Sequence, residues 1–208
     1  EVLKGTDPMD STTITEETYP KKKEFNKTIG VPRAFICKGS ESTQKNVEQA
    51  IEKFKSLGYE VVDLELPTVE YSLAVYYILV PAEVSSNMAR FDGVKYGLHV
   101  GGENGIDDYF KTRGAGFGKE VRRRIILGTY ILSSGYYDAY FGTAENVRAM
   151  IRKELRDAFE KVDLILLPTT PSSAFKFGER SSPIGMYLEY ILSVPAIVSG
   201  CPWMSFPF

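Results

Sequence analysis

Histidine is nearly missing from this chain, with His99 the only one in 208 residues. That excludes a metal site built from several imidazoles. His99 falls in the glycine-dense stretch "GLHVGGENG" without a Ser or Cys partner in its pattern, so it reads as a solvated loop residue. Cysteine is as scarce. Cys37 and Cys201 lie far apart with no other ligand types beside them, and both are expected as reduced, buried thiols, because Cys behaves as a small hydrophobe. Net charge is low as well. At −2 it gives no electrostatic case for binding nucleic acid or membrane through bulk charge. No apolar run reaches the roughly 18 residues of a membrane span. The nearest, "YSLAVYYILVPAEV", is short and contains Pro81, so it is expected as a buried helix bent at that proline. Internal repeats and low-complexity tracts are absent. The chain opens on "EVLKGTDPMD" without an initiator Met or signal peptide and closes on the apolar "CPWMSFPF". Both ends are expected to be cuts in a longer protein, since natural ends usually sit in water.

What is present reads as mixed α/β. Residues 1–28, rich in Thr, Lys, Glu, Asp and Pro, form an irregular surface segment. "TIGVPRAFI" leans to β structure. "SESTQKNVEQAIEKFKSLG" carries a helix signature: Ser40 or Ser42 to cap it, Val47, Ile51 and Phe54 at helical spacing, and Gly58 to stop it. "YEVVDLELP" alternates, setting Val61, Asp63 and Glu65 against Val62, Leu64 and Leu66, as a strand with one wet face does. Strand, helix and strand in this order make a βαβ unit with parallel strands. Further helices are expected over 70–90, 106–113, 118–134, 136–161 and 183–193. "VDLILLP" reads as a strand buried on both faces, "TTPSSAFKFGERSSP" as a loop, and "VPAIVSGCPWMSFPF" as loop or short strand.

Three arginines interrupt the apolar helix "VRRRIILGTY". A helix turns about 100° per residue, so with Val121 at zero, Ile125, Gly128 and Leu132 fall within about 40° of it. Arg122 and Arg123 fall near 100° and 200°, and Arg124 near −60°, at the edge of the buried stripe. Arg124 is therefore the inward arginine. A buried guanidinium needs an anion. Either a structural carboxylate such as Asp138, Asp163 or Glu83 supplies it, or a ligand carboxylate does, gripped through two parallel hydrogen bonds.

Other motifs carry less. "GAGFG" (114–118) lacks dinucleotide-fingerprint spacing and reads as a turn between helices. "GSES" and "SSG" are not nucleophile elbows. In "SSGYYDAYF", tyrosine hydroxyls can satisfy a buried Asp138, or the aromatics can wall a pocket. "LPTTPSSAF" follows a strand, where ligands of open α/β sheets gather, so Thr169 and Thr170 either line a site or sit in a plain proline-rich turn.

Four stretches, "PAEVSSNMARFDGVKYG", "RGAGFGKEVRRRIILGTYILSSGYYDAYF", "VRAMIRKELRDAFEKVDLILLPTTPSSAFKFGE" and "MYLEYILSVPAIVSGCP", resemble the C-terminal half of the amidase signature family. The branch they are most similar to is formed by the A subunits of glutamyl-tRNA(Gln) amidotransferases. "TDPMDSTT" resembles the segment that follows the family's Gly/Ser-rich region, so the likeness runs over residues 3–207. It implies a mixed β-sheet core covered by helices, with residues 1–208 as the C-terminal portion of one amidase signature domain. It further implies glutamine hydrolysis by a serine nucleophile, a second serine in a cis peptide and a lysine. All three are expected upstream of Glu1, so no catalytic residue is assigned here and the segment alone is expected to be inactive and poorly soluble, with "VDLILLP" left as an open sheet edge. Ammonia would pass to a partner subunit that converts Glu-tRNA(Gln) to Gln-tRNA(Gln). The partners implied are the B and C subunits. ATP and Mg2+ belong to the partner, no cofactor to this segment, and the compartment is a bacterial cytoplasm or an organelle. By the resemblance Arg124, or Arg123 one residue away, binds the glutamine α-carboxylate, and Thr169 and Thr170 line the same pocket. Tyr190 stands where the family's ammonium-binding acid is expected, with Glu189 just before it. That departure, and the bulky "CPWMSFPF", keep a hydrolase of another amide and a non-catalytic scaffold as alternatives.

Overall fold

The structure, a computed structural model, describes residues 5–18, 24–179 and 182–207. The expected βαβ unit is there. Strand β1 (Thr28–Val31) pairs in parallel with β2 (Glu60–Asp63), Thr28 opposite Glu60 and Val31 opposite Asp63. Between them runs helix α2 (Glu41–Ser56). The Ser40 hydroxyl caps it by accepting from the Thr43 amide at 3.3 Å, and Gly58, at φ +80°, takes the left-handed conformation that ends it. Val47 and Ile51 of α2 pack on Ile29, Val31 and Ile36. Each such buried side chain contributes on the order of 1.5–3 kcal/mol, which holds the helix on the sheet. On β2 and beyond, Asp63 and Glu65 are exposed while Leu64 and Leu66 are buried, as the alternation requires, although Val61 is half-buried against the α2 cluster.

The third strand corrects an expectation. "VDLILLP" forms only a two-residue strand, β3 (Leu164–Ile165), parallel to β1 at the edge of a sheet of order β2-β1-β3. Its outer neighbour position is empty of any described strand, so Leu164 remains 44% exposed where burial on both faces was expected. "TIGVPRAFI" is likewise strand only as far as Val31. Pro32 has no amide to give the ladder, and helix α1 (Arg33–Ile36) follows, burying Phe35 and Ile36.

The main core lies on the other side of the sheet. Helix α3 (Ser72–Asn87) carries Pro81 in its interior and buries Val75, Leu79, Pro81 and Ala82. A five-residue 3-10 segment, Pro67–Tyr71, leads into it, held by Glu154, whose carboxylate accepts from the Thr68 amide at 3.0 Å and the Thr68 hydroxyl at 2.6 Å. Helices α4 (Gly105–Gly116), α5 (Lys119–Ile131) and α6 (Thr143–Phe159) follow. Helix α5 packs on α3 along its length, and α6 buries Ile151, Leu155 and Ala158 against α3 and helix α8 (Val194–Ser199). That last helix replaces the expected loop or strand. Pro195 fits the first helical turn, and Gly200, at φ +75°, closes it. The helix expected over 183–193 is shorter, α7 (Pro183–Leu188), followed by turns.

Three further expectations fall. Most of "GAGFG" is the last turn of α4 rather than a turn between helices. Asp138 is exposed, not a buried carboxylate, because residues 138–142 form a single π-helical turn at the start of α6 with Tyr130, Tyr136 and Tyr140 stacked on the surface. Cys37 is exposed and Cys201 half-buried, and neither is in a disulfide. Of the segment expected as irregular surface, residues 5–18 and 24–27 are largely exposed and without regular structure beyond a short 3-10 turn, while 1–4 and 19–23 lie outside the described residues. His99 is exposed in its loop, with its Nδ1 2.8 Å from the Gly93 carbonyl oxygen. Among the described residues no helix is long and apolar enough to cross a membrane.

Candidate functional site

Helix α5 turns the face expected from its periodicity toward α3. Gly128 and Ile131 are buried, Val121, Ile125 and Leu132 half-buried, and Arg122 and Arg123 exposed. The Arg124 side chain is 23% exposed against 45% for Arg123, so Arg124 is the inward arginine. Its anion is none of Asp138, Asp163 or Glu83. Asp163 is taken up by the amides of Asn26 and Thr28, and Asp138 and Glu83 face solvent. The partner is Glu120, one turn earlier on the same helix, whose Oε1 accepts from Arg124 Nε at 3.1 Å.

Three tyrosines close the cluster. The Arg124 guanidinium lies 5.8 Å from the centre of the Tyr77 ring on α3, a cation–π contact. Tyr187 of α7 lies against Tyr77 at 4.1 Å between ring centres, and its hydroxyl donates to Glu120 Oε1 at 3.1 Å. Arg123 binds the other oxygen of Glu120. Burial opposes the charge on Arg124, but the nearby Tyr76 phenol and the bond to Glu120 outweigh this and hold its pKa above the usual guanidinium value. For Glu120, partial burial pushes up and is outweighed by the bonds from Arg124 and Tyr187, so the carboxyl sits below its ordinary value. Burial pushes the Tyr77 phenol well above its usual value, and its buried hydroxyl has no hydrogen-bond partner among the described residues.

The threonines lie elsewhere. Thr169 and Thr170 follow β3 and line a cavity of about 370 Å³ together with Ser42, Thr43 and Asn46 of α2. The Thr169 hydroxyl is 2.9 Å from that of Ser205, and Thr170 donates to the Ser172 carbonyl at 2.8 Å. The loop is tied to the start of α2, where the Ser40 amide and the Thr43 hydroxyl both donate to the Pro171 carbonyl. Arg124 does not line this cavity. The connection between the two places is α7 and its end. Tyr187 reaches Glu120, and Glu189 accepts from the Ser172 hydroxyl at 3.2 Å. Tyr190 is 48% exposed and near enough to Tyr77 to act on it electrostatically. The structure therefore brings Arg124 together with Glu120, Tyr76, Tyr77 and Tyr187, and brings Glu189 to the threonine loop, without joining all of these in one cavity. Glu120 was missed in the sequence, although its i, i+4 spacing to Arg124 is a signal that could have found it. Nothing local in the sequence marks Tyr77 or Tyr187 as its neighbours.

The family model described as Amidase matches residues 1–208. The chain belongs to the amidase family. Amidases are hydrolytic enzymes, and the resemblance carried by the motifs is thereby established at family level. Among curated relatives, the chain is 45% identical to the glutamyl-tRNA(Gln) amidotransferase A subunit of Synechococcus sp. (strain JA-2-3B'a(2-13)), covering 99% of this chain and 41% of that protein. It is 46% identical to the protein of the same name from Pelagibacter ubique (strain HTCC1062), covering 100% of this chain and 44% of that protein. The chain thus spans about two fifths of the length of these amidase relatives. Among solved structures, the glutamyl-tRNA(Gln) amidotransferase A subunit of Thermotoga maritima superposes with a TM-score of 0.63 at 33% identity, over 94% of this chain and 39% of that one. A second crystal structure, of an amidase 23% identical, superposes with a TM-score of 0.62 over 87% of this chain and 38% of that one and shows the shared fold. The parallel three-stranded sheet with its helices is the mixed α/β architecture of these amidases.

Proposed function

We propose that this amidase-family chain forms one wall of the glutamine pocket in the glutaminase subunit of a tRNA-dependent amidotransferase. The observation that carries the reading is the 45–46% identity to amidotransferase A subunits over essentially the whole chain. On this reading the catalytic serines and lysine come from sequence outside residues 1–208. Ammonia released from glutamine passes to partner B and C subunits, where ATP and Mg2+ serve the amidation of Glu-tRNA(Gln).

Arg124 is the anchor for the glutamine α-carboxylate. A guanidinium has five N–H donors. Glu120 uses only Nε, and Tyr77 covers a face, so donors remain to grip a second carboxylate in parallel. Arg123, exposed and paired with Glu120, is the poorer candidate. Thr169 and Thr170 are assigned to the pocket through the loop that Glu189 holds.

The test is Arg124→Ala in the complete protein. The KM for glutamine rises steeply, while amidation driven by added ammonia, which bypasses the pocket, is retained. Equal loss with both nitrogen donors would assign Arg124 to folding instead. One observation favours a second reading, an amidase acting on another amide: Tyr190 stands where an acid was expected for the glutamine ammonium, and Glu189 is engaged with Ser172. Copurification separates the two, because a self-sufficient amidase needs no B and C subunits.

A further inference from the structure

We infer that Glu120 is the positioning residue of the site: it sets the orientation of Arg124, pairs with Arg123, and fastens α7 to α5 through Tyr187. The inference rests on the reading of Arg124 as a substrate anchor.

Arginine side chains are long, and an unrestrained one loses much rotamer entropy on binding. An anchor is effective when that cost is met before the substrate arrives. Here two contacts fix Arg124 in advance. Its Nε is held by Glu120 Oε1 at 3.1 Å, and its guanidinium lies over Tyr77. Holding the side chain by Nε constrains the guanidinium plane and leaves the two terminal nitrogens as the outward prong. Helical phase already sets Arg124 inward and Arg123 outward, and Glu120 takes up both. One oxygen serves Arg124 and the other Arg123.

The same oxygen that holds Arg124 accepts the Tyr187 hydroxyl at 3.1 Å, and the Tyr187 ring lies on Tyr77. Three elements, α3, α5 and α7, therefore meet at one carboxylate. Its removal releases Arg124 and the last turn of α7 together. Two residues beyond Tyr187, Glu189 reaches the Ser172 hydroxyl, so loosening α7 also loosens the threonine loop.

The experiment measures glutamine kinetics in the complete amidotransferase for Glu120→Ala, Glu120→Gln, Tyr187→Phe, Arg124→Ala and the double variant Glu120→Ala/Arg124→Ala, with ammonia-driven amidation as the folding control. Glu120→Ala is expected to raise the glutamine KM about tenfold, the size of one charge-assisted hydrogen bond. Glu120→Gln and Tyr187→Phe raise it by less. The double variant is no worse than Arg124→Ala alone, because Glu120 acts through Arg124. If Arg124→Ala raises KM but Glu120→Ala does not, or if the two effects multiply, the positioning role is overturned while the anchor stands. If Arg124→Ala itself leaves KM unchanged, it is the proposed function that falls. Should Glu120→Ala lose ammonia-driven activity as well, the milder Glu120→Gln decides by the same criteria.

Discussion

Replacing Gly128 with alanine probes the packing that presents Arg124. Gly128 is buried where α5 crosses α3, and a Cβ built there falls 2.5 Å from the Pro81 carbonyl carbon and 2.8 Å from Ser85 Cβ, overlapping the Pro81 carbonyl oxygen as well. Carbon atoms in good contact sit about 3.5 Å apart, so α5 has to retreat by about 1 Å. The obstruction is helix backbone and cannot rotate away. Overpacking of this kind costs about 1–3 kcal/mol. Alanine returns about 1 kcal/mol of helix propensity, so the net destabilisation is about 0–2 kcal/mol. The functional effect is larger. Arg124 lies one turn before Gly128 on the same face, and a displacement of about 1 Å in a positioning group can cost about 100-fold in rate. The assay is denaturant unfolding of the complete protein together with its glutamine kcat/KM. Gly114→Ala is the control: no described atom lies within 4 Å of its added Cβ, so it gains up to about 1 kcal/mol from propensity alone. A Gly128→Ala protein as stable and active as the parent, with the Gly114→Ala control behaving as expected, would refute the close approach of α5 to Pro81.

Two smaller predictions concern a buried hydroxyl and a carboxyl. The Thr112 hydroxyl, almost fully buried in α4, accepts from the Val100 amide at 2.9 Å and tethers the loop that carries His99. Thr112→Val leaves that amide without its acceptor at a cost of about 1–3 kcal/mol, and amide hydrogen exchange at Val100 accelerates; unchanged protection there would contradict the tether. Glu120 is held below its ordinary value of 4.5. A carboxyl depressed in the folded state contributes stability above its unfolded pKa and loses it as pH falls through the folded value. A titration of Glu120 followed by NMR therefore has its midpoint below 4.5, and a midpoint at or above that value contradicts its pairing with Arg124.

The βαβ unit was legible because all its signals are local: Ser40 as cap, Gly58 as stop, and a two-residue period in "YEVVDLELP". Arg124 was legible for the same reason, since helical phase is a property of the segment itself. The failures have a common cause in tertiary context. "VDLILLP" is as apolar as a central strand, yet among the described residues its strand neighbours lie on one side only, and composition does not reveal position in a sheet. "VPAIVS" is rich in β-branched residues, but packing against α6 and α3 overrides that preference and makes it a helix. Asp138 looked buried because four aromatics surround it in sequence, whereas the π-helical turn leaves Tyr136, Tyr137 and Tyr140 on the surface and packs only Phe141 against the core. The meeting of Glu120, Tyr77 and Tyr187 joins residues from three separate helices, which no periodicity encodes.

Recognition of a substrate carboxylate by Arg124, as proposed above, can be tested directly. The most direct measurement compares kcat/KM for glutamine with that for a glutamine analogue whose α-carboxylate is esterified, in the complete parent protein and in Arg124→Ala. Strong preference for glutamine is expected in the parent and near-equal values in the variant. A preference that survives unchanged in Arg124→Ala would contradict that recognition.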